Sequence, residues 1–167
     1  MIDVAKLNDL PEPEARAALL RCCGSTAWVE GLLAARPFAT EAALLAAAER
    51  IESRMTRADW LEAFSHHPRI GQDLESLRRK FAATADWSAG EQSGVSAAGE
   101  ATLRGLADGN RAYESRFGHI FIVCATGKSA DEMLALLAAR LHNDPDAELR
   151  IAAGEQAKIT RIRLGKL

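Results

Sequence analysis

The sequence predicts an all-α fold: a single compact multi-helix bundle domain spanning residues 1–167. Three observations carry this reading. There are 33 alanines and 20 leucines against 4 valines and 8 isoleucines. Alanine and leucine lose little side-chain freedom in a helix, whereas the β-branched residues that favour strands are scarce. Apolar residues recur every three or four positions along most of the chain. Short stretches with proline, glycine or capping residues divide these segments, and no repeat of roughly 20–50 residues is visible. A chain of this length can bury roughly 68–70% of its unfolded surface, enough for a core without disulfides or metals.

The elements follow in order. Glu12 to Cys22 reads as a helix, with Pro11 and Pro13 near its start and Gly24 just past its end. Ser25 or Thr26 caps Ala27 to Ala35, which Pro37 ends. Thr40 opens Glu41 to Arg54, where Leu44, Leu45, Ala48 and Ile51 form one stripe. Arg57 to Phe64 is a short helix with Trp60, Leu61 and Phe64 at helical spacing. Ser65 to Gly71 has no amphipathic period, and Pro68 disfavours helical geometry before it, so a loop is expected. Asp73 to Phe81 is helical again. Ala82 to Gly94, small and polar, predicts irregular backbone or a single turn. Ser96 is expected to cap a long helix to about Arg116, ended by Gly118. Ile120 to Ala125 is strand-like, but no second segment of similar strength could pair with it, which favours helix or buried irregular backbone. Ser129 caps Ala130 to Leu141, and Asn143 to Asp146 forms a turn. The last helix runs from Ala147 to Leu164, with Ile159 and Ile162 on its inward stripe and Arg163 at the edge.

Composition excludes several classes of function. The net charge of −2 and pI near 6.1 lack the basic excess of a nucleic-acid binder. Cys22, Cys23 and Cys124 are odd in number with two adjacent, which makes neither a disulfide framework nor a zinc site. A reducing compartment suits them. Asp3, Lys6 and Asp9 interrupt any secretory leader. The apolar runs fall far short of the ~20 residues a membrane span needs. Gly165-Lys166-Leu167 lacks the serine of a peroxisomal address. A soluble, cytoplasmic protein without a membrane partner is expected.

Candidate chemistry concentrates in the interruptions. His67 sits in the non-periodic loop beside Pro68, Arg69 and Gly71. It reads either as a surface or capping histidine or as an acid/base working near neutral pH. Taken alone, the local sequence favours the first. Ser88 to Gln92 offers Glu91 and Gln92 either as an exposed helix start or as a carboxylate and amide that hold a small polar ligand. Arg163 could partner an internal carboxylate or meet the carboxylate of a substrate. The four histidines show no metal-ligand spacing. Cys124 lies in an apolar run, the setting of an inert thiol. No GxSxG, GxGxxG or Walker A sequence occurs, so a serine nucleophile or nucleotide cofactor has no cradle.

Taken together, the motifs resemble a known family. Cys22-Cys23-Gly24-Ser25 with Trp28-Val29, Arg36-Pro37-Phe38, and Asp59 to Phe64 followed by His67-Pro68-Arg69-Ile70-Gly71 are similar to the OHCU decarboxylases. These act on 2-oxo-4-hydroxy-4-carboxy-5-ureidoimidazoline in urate breakdown. The likeness continues through Glu91-Gln92, Asn110, Tyr113, Arg116-Phe117-Gly118, Phe121 to Ala125, Asn143-Asp144, Lys158-Ile159 and Arg163-Leu164, nearly the whole chain. The resemblance implies an all-α, cofactor-independent decarboxylase, often homodimeric, that yields (S)-allantoin. It follows urate oxidase and 5-hydroxyisourate hydrolase in sequence. His67 would be the catalytic acid/base, with Glu91 and Arg163 beside it. Pro68, Ser88, Glu91, Gln92, Phe121, Ile122, Val123, Cys124, Ala125 and Arg163 would line the substrate pocket, and no metal is implied. One departure is His119-Ile120, where the family often carries an aromatic-proline pair. A non-catalytic helical docking module, or a hydrolase or isomerase of a related ureide, are the competing readings.

Overall fold

In a computed structural model the described residues are 2–67, 74–82 and 92–167, without the side chains of 76, 80, 82 and 92–98. Among them are α-helices α1 (Val4–Asp9), α2 (Glu12–Cys22), α3 (Thr26–Ala35), α4 (Glu41–Glu52) and α5 (Arg57–Ser65). They continue with α6 (Leu74–Ala82), α7 (Gln92–Phe117), α8 (Ala130–Arg140) and α9 (Pro145–Leu164). No strand occurs among the described residues, so the fold is all-α as composition predicts.

Several boundaries differ from the sequence reading, each for a local reason. The six-residue α1 was not anticipated, because only Leu7 of it is buried and no period develops; the Asp3 carboxylate caps it by accepting from the Lys6 N–H at 3.0 Å. Helix α7 begins at Gln92, so Ser96 lies inside it and Gln92 to Gly94 are helical. Extending an existing helix costs far less than nucleating one, so weak formers at its start are carried along. Helix α9 begins at Pro145, whose fixed φ suits a first turn. The Asp144 carboxylate accepts from the Asp146 and Ala147 N–H groups at 3.1 and 3.2 Å. Helix α4 stops at Glu52 rather than Arg54. The run Ile120 to Ala125 is irregular backbone, one of the two favoured alternatives.

The chain divides into two compact units. The first holds α1 to α5 through His67, the segment Ile122–Cys124, and Leu149–Leu167. Its core is built on α3, where Trp28, Val29 and Leu32 are buried against Leu19, Leu44 and Ala63. Leu164 from the end of α9 joins the same cluster. Burying a side chain such as Leu or Trp contributes roughly 1.5–3 kcal/mol, so this cluster sets the stability of the unit. Polar ties fix the helices around it. Arg36 donates through Nη1 to the Leu7 and Leu10 carbonyls at 2.9 and 3.1 Å, holding α1. Glu62 on α5 accepts from the Thr26 N–H and hydroxyl at 3.0 and 2.6 Å, placing a carboxylate at the start of α3.

The second unit contains α6, α7, α8 and the first turn of α9. Helices α7 and α8 pack closely because Gly109 leaves room for Leu137; a Cβ at 109 would stand 2.6 Å from Leu137 Cδ2. At the end of α7, Gly118 takes φ +76°, and its N–H returns to the Glu114 carbonyl at 2.9 Å. Beyond it, Tyr113, Phe117, His119 and Phe121 form an aromatic cluster, with Tyr113 edge-on to His119 at 5.5 Å and to Phe121 at 5.1 Å. His119 is buried and occupies an aromatic place in this cluster.

Candidate active site

Within the first unit, helix α5 ends at Ser65 and the chain turns at His66, leaving His67 one residue beyond the helix cap. This turn is tight. Gly24, between α2 and α3, lies where a Cβ would stand 2.3 Å from His66 Cγ and 2.4 Å from His66 Cβ. Only a residue without a side chain permits that approach.

His67 is partly buried, and its Nε2 lies 2.5 Å from Oε1 of Gln156 on α9. Gln156 is fully buried, and its amide nitrogen donates to Thr160 Oγ1 at 3.2 Å. Burial pushes the His67 imidazole below its ordinary range; the Arg163 and His66 charges act in the same direction, and the Gln156 bond only partly opposes them. Burial thus favours the neutral ring, the form that accepts a proton.

Arg163, in the last turn of α9, is half-buried. Its Nη1 donates weakly to the Arg21 and Cys22 carbonyls at 3.4 and 3.5 Å, so a cation sits at the C-terminal end of α2. Among the described residues these partners are carbonyls, not a carboxylate. Donors of the guanidinium therefore stay available for an anionic ligand.

The irregular segment Ile122–Cys124 belongs to the same unit. Glu155 on α9 accepts from the Cys124 N–H at 2.7 Å and also pairs with Lys158. Consecutive residues of α9 therefore hold two different pieces of the site: Glu155 the backbone of the segment, Gln156 the imidazole.

The candidate residues are distributed unevenly. His67, Arg163 and Ile122, Val123 and Cys124 lie together in the first unit. Phe121 and Ala125 belong to the second. Pro68, Ser88 and Glu91 lie outside the described residues, and Gln92 is the first residue of α7. Among the described residues no group of three or more His, Cys, Asp or Glu is placed to hold a metal ion.

Sequence reasoning passed over Gln156, Thr160 and Glu155. The buried stripe of α9 is Ala152, Gln156, Thr160 and Leu164, each at most 1% exposed, while Ile162 is 39% exposed. The inward stripe assigned to Ile159 and Ile162 is therefore corrected: two polar residues hold the core phase because Gln156 is bonded to His67 at one end and to Thr160 at the other. The signal was present, since a glutamine and a threonine share the phase of Leu164 at spacings of four.

Comparison with known proteins identifies the family and the fold. Residues 8–165 match the family model of OHCU decarboxylase. The chain is 40% identical over 148 residues to the uric acid degradation bifunctional protein TTL of Arabidopsis thaliana, covering 87% of this chain and 45% of that protein. It is 42% identical over 55 residues to the 2-oxo-4-hydroxy-4-carboxy-5-ureidoimidazoline decarboxylase of Amia calva, covering 33% of this chain and 31% of that protein. The matches span less than half the length of both curated relatives. A crystal structure of OHCU decarboxylase with (S)-allantoin superposes with a TM-score of 0.70 at 38% identity, covering 88% of this chain and 94% of that one. A structure of (S)-allantoin synthase shares the fold, with a TM-score of 0.68 at 23% identity over 98% of this chain and 53% of that one. With the family model matched over nearly its whole length, this chain belongs to the OHCU decarboxylase family.

Proposed function

We propose that this chain decarboxylates 2-oxo-4-hydroxy-4-carboxy-5-ureidoimidazoline to (S)-allantoin, with His67 moving the proton. The observation that carries the reading is a partly buried His67 anchored by a buried amide, in a chain that matches the family over residues 8–165.

The chemistry asks little of the protein. As the bond from ring carbon 4 to the carboxylate breaks, its electron pair forms a double bond to carbon 5, and the former C5=N pair moves onto nitrogen. That nitrogen takes one proton from solvent. The hydroxyl on carbon 4 then gives its proton to His67 and becomes the carbonyl of allantoin. His67 returns that proton to carbon 5 from one face, which sets the hand of the product. The ring is its own electron sink, so the reaction proceeds without a cofactor. A histidine contributing roughly 10²–10⁴-fold, with positioning, is sufficient.

Arg163 holds a carbonyl oxygen or the charge developing on the ring as much as the carboxylate. Gripping only the departing group would favour the ground state over the transition state. Glu91 and Gln92 hold the ureido and ring N–H groups. Resemblance to the family assigns further substrate contacts to Pro68, Ser88, Phe121, Ile122, Val123, Cys124 and Ala125. Urate oxidase and 5-hydroxyisourate hydrolase supply the substrate, and the working form is a cytoplasmic homodimer. The buried thiols of Cys22, Cys23 and Cys124 suit that compartment.

The test generates the substrate from urate with those two enzymes in excess and follows circular dichroism. Rapid growth of a signal of one hand, lost with folded His67→Asn, is the expected result. A slow racemic decay unchanged by the wild-type protein would overturn the reading.

A further inference from the structure

The polar chain behind His67 has a direction, and that direction identifies the atom that exchanges the proton. Thr160 lies one turn beyond Gln156 on α9 and is 1% exposed. An amide NH₂ only donates, so the Thr160 oxygen receives the Gln156 amide nitrogen on a lone pair, at 3.2 Å. That bond uses the NH₂ end of Gln156 and turns the carbonyl oxygen toward His67, 2.5 Å from Nε2. A carbonyl oxygen only accepts, so the imidazole nitrogen facing it must carry a hydrogen. In the neutral ring, Nδ1 is then the lone-pair nitrogen.

We propose that Gln156 is a positioning residue that holds neutral His67 as its Nε2–H tautomer, making Nδ1 the atom that takes and returns the substrate proton. The inference rests on the reading of His67 as the acid/base and specifies how it is oriented. With Nε2–H retained throughout, the hydroxyl proton of the substrate passes to Nδ1, and the same proton leaves Nδ1 for the ring carbon. Turning the amide round would point its NH₂ at Nε2 and force the proton onto Nδ1, leaving no base toward the substrate. Gln156 is fully buried, so no water substitutes for the lost bond. Glutamine suits this place better than a carboxylate: it fixes the tautomer and leaves the imidazole neutral.

Nitrogen-15 NMR of the imidazoles, assigned with His67→Asn, distinguishes the tautomers directly. The wild-type chain should show a protonated-type Nε2 and an unprotonated-type Nδ1 at His67 above its titration. Gln156→Leu should lose that preference and lower kcat roughly 10–100-fold with KM little changed, as loss of an outer-shell partner does. Gln156→Glu, which still accepts from Nε2–H, should keep the tautomer and move the His67 titration upward, and it serves if the leucine variant fails to fold. An Nδ1–H signature in the wild-type protein, or an Nε2–H signature unchanged in folded Gln156→Leu, would overturn the proposal. Full activity in His67→Asn would instead remove the acid/base reading beneath it, so the two failures are distinguishable.

Discussion

At the scale of single residues, Glu148 concentrates the largest electrostatic stake in the described chain. It is fully buried and accepts from the Tyr113 hydroxyl at 2.5 Å, Arg140 Nε at 2.7 Å and Asn143 Nδ2 at 2.9 Å. Burial by itself would raise its carboxyl; the bonds from Arg140, Tyr113 and Asn143 together outweigh it and hold the group below the ordinary range. The Arg140 guanidinium also lies over the Phe121 ring at 4.6 Å, so the network supports the start of the irregular segment. Glu148→Gln leaves the Arg140 charge without its counter-ion. We expect it to lower stability by about 3–5 kcal/mol, read from urea unfolding. Legibility at this scale was mixed. Asn143 was read as a turn residue and Tyr113 as a helix and family motif residue, but neither as a partner of Glu148, because a pairing closed over 35 positions leaves no local trace. His67 was visible because a proline and a broken period isolate it. Its partner 89 positions away was not.

At the scale of elements, the junction of α2, α3 and the end of α5 aims His67. The α5 turn can approach only because position 24 has no side chain, and the atoms in the way are the stem of His66 rather than a flexible tip. Gly24→Ala must push the backbone at 66, one residue from the imidazole. The expected outcome is a loss of about 1–3 kcal/mol in stability with kcat reduced by up to ~100-fold, since a displacement on the order of 1 Å suffices. Urea unfolding and single-turnover rates check both. Helix α9 plays the complementary part, with Glu155, Gln156 and Arg163 reaching three components of the site. Most helices were legible from capping residues and periodicity; α2 was read to the residue, and α8 begins where Ser129 predicted it. The phase of α9 was not, because hydropathy ranks Ile162 above Gln156, whereas a buried amide with both ends bonded is as stable in a core as it is unexpected.

For the whole molecule, pH ties folding to the site. His67 titrates lower in the folded chain than in the unfolded one, so between those values the unfolded state binds more protons and stability falls as pH drops below about 6.5. Glu148 adds to the loss only below the ordinary carboxylate range. Glu52, pushed up by burial despite Arg161, works the other way, since its penalty is relieved on acidification. The urea midpoint should therefore decline from pH 7 to pH 5 in the wild-type chain, and more shallowly in His67→Asn. Equal slopes would show that His67 is not titrating below its ordinary value. By itself the sequence determined the helical class, most element limits, and the family. These depend on local propensity and on a residue pattern spread along the chain. Tertiary structure alone decided which face of α9 turns inward, how Ile122–Cys124 is tethered, and which nitrogen of His67 is held. Each depends on a donor meeting an acceptor from a distant segment, and such pairs leave no mark in local composition.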